Sequence, residues 1–386
     1  MLDGVNVVLG VTGSIAAVRT VELAHELRRQ GAAVRAVTTP AARDIIHPWA
    51  LEFATSRETV TEIGGAVEHV HFFGDDPWGD VFVIAPATAN TVGKIAAAID
   101  DTPVTTVATT ALGAGAPVVV APAMHRPMYD HPGVEAALET LESWGIDIVQ
   151  PRFEEEKAKI ATEDAIVTAT ARAAFPSPLA GQHVVVTAGA TTESIDPIRT
   201  LSNRASGRTG REVARACAIR GADVTLLNDG PDVPLVESVA VESATEMQDA
   251  ALAACEDADA FVSAAAIGDY TVRTRERKIP SGRDDLTLEL DPTPKVLDGV
   301  REAHPEMPIV GFKLESGGDE ADLIAAARDQ IDRVGAAFVV ANDADAAGGP
   351  TTDALVVDRE DAVPVGGSKA TLGAAVAERL VETLPP

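Results

Sequence analysis

The chain has 386 residues, with 59 Asp+Glu against 31 Lys+Arg and a formal net charge of -28. That length fits two domains of ordinary size better than one. A 46% hydrophobic content with only 4% aromatics allows cores built from Val, Ala, Leu and Ile and excludes a disordered chain. The acid surplus opposes nucleic acid and anionic membrane as partners, since both require clustered cations. The basic residues are 24 Arg and 7 Lys, and acid excess with scarce Lys predicts solvation in concentrated salt, as in an extreme halophile, with an ordinary acidic cytosolic protein as the second reading. No apolar run approaches the roughly 18 residues that span a bilayer, and the first residues lack a signal-peptide layout, so the expected location is cytoplasmic. Cys217 and Cys255 lie in apolar helical contexts and read as buried small hydrophobes.

In chain order, apolar runs at 6–9, 33–37, 81–85 and 118–121 alternate with helical patterns such as 15–29. Alternation at this spacing predicts βαβ units and a parallel sheet covered on both faces. Pro176 and Pro178 interrupt the pattern. It then restarts with a strand at 183–187, a helix at about 209–220, a strand at 223–227 and a buried run at 260–266. The fold class is α/β, with two doubly wound Rossmann-like domains spanning 1–178 and 179–386. Their net charges are -11 and -17, so the acidity is shared.

Val7-Val8-Leu9-Gly10-Val11-Thr12-Gly13-Ser14-Ile15-Ala16-Ala17 is a strand, a Gly-rich turn and a helix start. Amides at such a turn, with the Ser14 hydroxyl, suit a phosphate, although alone the segment serves equally as a tight strand-helix turn. Two further polar strand ends, Val37-Thr38-Thr39-Pro40 and Ala85-Pro86-Ala87-Thr88-Ala89-Asn90, fall at the same edge of a parallel sheet, where such sheets bind ligands. Together with Pro122-Ala123-Met124-His125-Arg126-Pro127-Met128-Tyr129, these motifs resemble the homo-oligomeric flavin-containing cysteine decarboxylases, in particular 4'-phosphopantothenoylcysteine decarboxylase. The resemblance covers about 1–172. It implies an FMN phosphate held by Gly13, Ser14 and Thr39, a flavin ring lined by Ala87, Thr88 and Asn90, and further flavin contacts at Thr105 and Thr106.

The family's catalytic histidine has its counterpart in Glu68-His69-Val70-His71-Phe72. This segment reads as a strand with both histidines on one face, and 73–79 as an insertion. The motif frame selects His69 as the base over His71; a solvated strand end and a His-x-His metal pair are the plainer alternatives. The implied chemistry is oxidation of the substrate's cysteinyl thiol to a thioaldehyde, loss of CO2, and return of the electrons by the flavin. Met124, His125 and Arg126 occupy the substrate-binding motif, where His125 stands in place of the family's asparagine and His125 or Arg126 would meet the carboxylate. Bacterial relatives carry a cysteine in a flap whose counterpart here, 153–161, has none. Lys157 or Lys159 would serve there toward phosphate or as an acid, unless they are ordinary ion-pair partners.

Between Arg199 and Arg220 the charge reverses, with six arginines against Glu212. Arg199, Arg204 and Arg208 surround the polar loop Ser202-Asn203-Arg204-Ala205-Ser206-Gly207 at a helix start, which is anion-binding chemistry. The segments 187–210, Ala264-Ala265-Ala266-Ile267-Gly268-Asp269-Tyr270, Lys278, Thr293-Pro294-Lys295-Val296-Leu297, Gly311-Phe312 and Ala341-Asn342-Asp343 resemble phosphopantothenate-cysteine ligase over about 181–380. The resemblance implies that CTP converts 4'-phosphopantothenate to an acyl cytidylate, which cysteine attacks. Fixed cations, amide donors and Mg2+ would stabilise the charge. Asn203 would hold the acyl cytidylate, Lys278 would stabilise its formation, and Arg199 and Arg208 would bind substrate. Ala265, Asp269, Lys278, Pro294, Lys295, Val296, Leu297 and Phe312 would line the CTP site, with Asp269 near the metal.

Both halves in this order resemble the fused enzyme of coenzyme A biosynthesis, with trimeric decarboxylase and dimeric ligase units in a homo-oligomer. A ligase with a non-catalytic, flavin-binding regulatory first domain is the alternative. A flavin prenyltransferase or peptide cysteine decarboxylase does not account for the second half.

Overall fold

The run Asn6–Val11 is buried from Val7 onward, as a strand covered on both faces must be. The computed structural model describes residues 1–280, 285–315, 319–343 and 351–385, and it divides into two units, Met1–Pro176 and Ser177–Pro386.

In the first unit a five-stranded sheet runs in the order Ala33–Thr38, Asn6–Val11, Val81–Ala87, Val118–Pro122, Asp147–Ile148. Every pairing in it is parallel. Numbered as the chain meets them, the strands lie 2-1-3-4-5, the flavodoxin-like order. The chain therefore reverses its direction of travel between Asn6–Val11 and Val81–Ala87, and a crevice opens beyond their carboxyl ends. Phe72, Phe73 and Phe82 are fully buried in this unit's core, each stabilising it by about 1.5–3 kcal/mol.

The segment expected as a histidine-bearing strand is instead the helix Glu68–Phe73. Val70 and Phe72 alternate with polar residues and imitate a strand, but Phe72 and Phe73 are both buried, which a period of two forbids and a helix permits. His69 and His71 therefore diverge rather than share a face. Residues 74–79 fold back on that helix: the amides of Trp78 and Gly79 bond to the carbonyls of His71 and Phe72 at 3.0 Å.

The second unit carries an eight-stranded sheet in the order Glu237–Ala240, Asp223–Asn228, His183–Thr187, Ala260–Ser263, Ile309–Glu315, Phe338–Asp343, Thr351–Val357, Ala362–Ser368. The first six are parallel in the Rossmann order 3-2-1-4-5-6. The last two are antiparallel. Its switch point lies between His183–Thr187 and Ala260–Ser263. The helix expected at about 209–220 spans Arg208–Ile219.

Candidate functional site

At the first unit's switch point Thr12 is fully buried. Its hydroxyl donates to the Pro86 carbonyl at 2.7 Å and accepts from the Thr88 amide at 3.2 Å, stitching the two strand ends together. Ser14 accepts from the Ala16 amide and donates to the Ala123 carbonyl at 3.2 Å. Gly13 is required by close approach, since a Cβ there would stand 2.6 Å from the Ala41 Cβ.

These residues open onto a cleft of about 470 Å³, within the range of cofactor sites. Gly13, Ser14, Thr88, Met124 and His125 line it, together with Arg19, Arg152, Lys157 and Lys159. The far wall is the hairpin Arg152–Glu154 and Lys157–Lys159, which pairs with Met124–His125 in a three-stranded sheet. Its two-residue turn, Glu155-Glu156, has φ of 52° and 57°, the left-handed geometry that so short a hairpin demands. The segment compared with the flap is thus a hairpin wall of the cleft.

Most cations here are engaged. Arg19 pairs with Glu163 at 2.7 Å, Arg152 with Glu154 at 2.8 Å, and Lys159 with both Glu154 and Glu155 at 3.0 Å. Hydrogen bonds that it donates to Glu154 and Glu155 raise the Lys159 ammonium above its ordinary value, so it is a poor acid. Arg126 is held by Asp130 at 2.6 Å and lies over the Phe153 ring. Among the described residues, His125 and Lys157 make no salt bridge.

Four of the other expected flavin contacts are buried or hydrogen-bonded within the fold, and Asn90 is exposed. Thr39 is buried and caps the helix Pro40–Arg43 by accepting from the Ala42 amide. Ala87 is buried, and its carbonyl accepts from the Ala123 amide at 3.0 Å. Asn90 is exposed on the helix Ala89–Ala96. Thr105 completes a capping box with Thr102, and Thr106 donates to the carbonyls of Asp100 and Thr102. None of these five lines the cleft. His69 does not line it either, but its Nδ1 is enclosed without a hydrogen-bond partner.

At the second unit's switch point the Ala265 amide donates to the Thr187 hydroxyl at 3.1 Å and the Ala266 amide to the Gly189 carbonyl at 2.8 Å. The Asn203 side-chain amide donates to the Ala266 carbonyl at 3.1 Å, which brings Asn203 to the segment that follows Ala265. The Gly268 amide bonds to the Thr191 hydroxyl, and the Thr293 amide to the Asp269 carbonyl, bringing 293–297 beside 265–269. Arg208 is exposed at the start of its helix. Phe312 is partly buried on its strand.

Other expected binding residues also carry contacts within the fold. Arg199 is not a free cation, because its Nη1 donates to Asp196 at 2.6 Å and to the Ile279 carbonyl at 3.2 Å. Asp269 pairs with Lys295 at 2.5 Å, so each occupies the other. Val296 is a core residue, 1% exposed, and Leu297 packs partly against the same core.

Residues 1–175 match the Flavoprotein family model, and residues 179–384 match the DNA/pantothenate metabolism flavoprotein C-terminal domain. The chain is 47% identical over 365 residues to the coenzyme A biosynthesis bifunctional protein CoaBC of Thermococcus kodakarensis, covering 93% of this chain and 90% of the relative. The chain belongs to the family of coenzyme A biosynthesis bifunctional proteins. Its relatives of the same name include those of Methanocaldococcus jannaschii, 33% identical with 99% and 94% coverage, and Escherichia coli, 34% identical with 83% and 82% coverage. As a member of the bifunctional family it is a two-activity enzyme, with a phosphopantothenoylcysteine decarboxylase unit before a phosphopantothenate-cysteine ligase unit.

The family's flavin fits the first cleft: the Gly13–Ser14 cradle, the Thr12–Thr88 stitch and the cationic wall suit an anionic cofactor with a flat ring. The described residues of the second unit form no protein-only metal cage. Asp269 is engaged by Lys295, and among the described residues no three His, Cys, Asp or Glu side chains converge. Thr12, Arg19, Arg152 and Asp196 escaped sequence reasoning. Only Thr12, beside Gly13 at a strand end, carried a local signal.

Proposed function

We propose that the second unit joins cysteine to 4'-phosphopantothenate with CTP, through an acyl cytidylate, and that the first unit decarboxylates the 4'-phosphopantothenoylcysteine so formed. One observation supports both readings: in each unit the motif residues gather at the topological switch point, at Thr12–Thr88 and at Asn203–Ala266.

In the first unit Gly13, Ser14 and Thr88 would hold FMN, which supplies a two-electron acceptor that returns the pair once the carboxylate has left. His125 and Lys157 would orient that carboxylate, while Arg126 pairs with Asp130. His69 would take the thiol proton, and the partnerless Nδ1 supports its use, because an enclosed polar atom left unpaired costs about 1–3 kcal/mol. His69 lies outside its own chain's cleft, so in a homo-oligomer it would serve a neighbouring copy. Ile15, Trp49 and Phe53 are 75–78% exposed, which supports self-association of this unit. Light scattering of Trp49→Glu tests that: an unchanged mass would count against it.

In the second unit Lys278 would stabilise phosphate charge as pyrophosphate departs. Asn203 would orient the acyl carbonyl toward the cysteine amine. Ala265, Pro294 and Phe312 would border the nucleotide, and Mg2+ would arrive with the triphosphate. The substrates are small, and we place the work in the cytoplasm, in concentrated salt; a melting temperature that does not rise with KCl would count against the saline part.

The deciding experiment incubates purified protein in high salt with 4'-phosphopantothenate, cysteine, CTP and Mg2+, and follows products by mass. CMP with 4'-phosphopantetheine is the expected outcome. Phosphopantothenoylcysteine accumulating without CO2 loss would instead favour a non-catalytic flavin-binding first unit, the reading favoured by a wall hairpin that holds no thiol. Absence of CMP would remove the ligase.

A further inference from the structure

We propose that Asp196 is a positioning residue of the ligase site, holding the segment that presents Lys278 through the Ile279 amide and the Arg199 guanidinium. The proposal rests on the assignment of Lys278 made above.

Asp196 is 2% exposed and collects four donors. Its Oδ1 accepts from the amides of Ile198 and Arg199, each at 2.9 Å. Its Oδ2 accepts from Arg199 Nη1 at 2.6 Å and from the Ile279 amide at 3.0 Å. Arg199 Nη1 also donates to the Ile279 carbonyl, so both polar backbone groups of the residue after Lys278 are secured, and the Ile279 side chain is buried. Two further bonds fasten the same segment to the same turn: Thr274 Oγ1 to the Ser194 carbonyl at 2.8 Å, and the Arg275 amide to the Ile195 carbonyl at 3.0 Å.

The fastened segment carries Arg273, Arg275, Arg277 and Lys278, like charges that favour dispersal when nothing restrains the backbone. The turn's other end continues through Thr200–Ser202 to Asn203, itself bonded to Ala266. Asp196 thus stands between the residues assigned to the two half-reactions. Only a carboxylate suits the position, because it is acceptor-only and charged. Asparagine would turn an amide donor against Arg199 or Ile279.

The test uses the full chain and three variants, Lys278→Ala, Asp196→Asn and their combination. Lys278→Ala examines the underlying assignment, with an expected loss of about 100-fold in CTP-dependent pyrophosphate release. Asp196→Asn should lower kcat for that release about tenfold through misplacement of Lys278, leave the KM for cysteine unchanged, and add nothing to Lys278→Ala. Independently of catalysis, trypsin should cut between 273 and 278 about tenfold faster, because local opening sets the rate, while circular dichroism stays native. If Asp196→Asn does not fold, Thr274→Val, which deletes one exposed fastening bond, must show faster cutting in the same segment. Unchanged cutting overturns the proposal whatever Lys278 does, as does a full further loss of activity in the double variant. Faster cutting with a fully active Lys278→Ala would instead discard the Lys278 assignment, and the catalytic part of the proposal with it.

Discussion

His125 stands directly opposite Lys157 in the antiparallel pairing of Met124–His125 with Lys157–Lys159. Opposed residues keep their Cβ atoms about 4.5–5.5 Å apart, close enough for both side chains to grip one carboxylate. The arginines and the other lysine around them are committed to acids. Lys157→Ala should therefore raise the KM for 4'-phosphopantothenoylcysteine about tenfold, the size of one charge-assisted hydrogen bond. Pyrophosphate release by the second unit should be unaffected. Steady-state decarboxylation supplied directly with that substrate checks it.

Gly13→Ala should abolish flavin retention. The added methyl would sit 2.6 Å from Ala41 Cβ and 3.1 Å from its carbonyl carbon, so two loops of the cradle must part. Gly65→Ala, where a Cβ meets nothing within 4 Å, is the control. Flavin absorbance of the two purified variants distinguishes a cradle effect from general damage.

His69→Asn should lower decarboxylation by about 10²–10⁴-fold, the range for a lost general base, with CMP formation intact. His71→Asn should leave both activities near normal, because on the helix Glu68–Phe73 the two rings point apart. The reverse pattern would transfer the role to His71.

The acid limb of stability should carry a contribution from Asp196. Chiefly the Ile279 amide bond, with the Ile198 and Arg199 amides, lowers its carboxyl from the ordinary 3.8 to about 2. A lowered folded-state value stabilises above the unfolded value and is lost as pH falls through the folded one. The contribution should thus be complete above about pH 4 and vanish toward about pH 2. Over that window the melting temperature of Asp196→Asn should fall less steeply than that of the parent chain, as calorimetry would record.

Much of the framework was legible because buried parallel strands announce themselves as unbroken apolar runs: 6–9, 81–85 and 183–187 fall within the strands Asn6–Val11, Val81–Ala87 and His183–Thr187. Both cysteines are buried as expected, and burial pushes their thiols up to about 12. The histidine helix was missed because six residues are too few for a 3.6 period to declare itself against an accidental alternation. Ion pairing was illegible for a different reason. Nothing local in Arg126 or Arg199 says that an acid three or four residues on or back will occupy it, nor that Asp196 will find an amide 83 residues away. Thr105 and Thr106 show the complementary limit: their motif position suited a ligand, while their hydroxyls serve the start of a helix.

The antiparallel end of the second sheet bears on how copies behave when crowded. Among the described residues its last strand, Ala362–Ser368, pairs only with Thr351–Val357 within that sheet, leaving one margin where a stray strand could add. That margin contains Pro364, which has no amide to offer, followed by Gly366 and Gly367, which give an incoming chain no side-chain surface. Such a border is a poor template for accretion. With Val363 54% exposed beside it, the proline guards against sheet-to-sheet aggregation at a border that the net charge of -28 alone does not protect residue by residue.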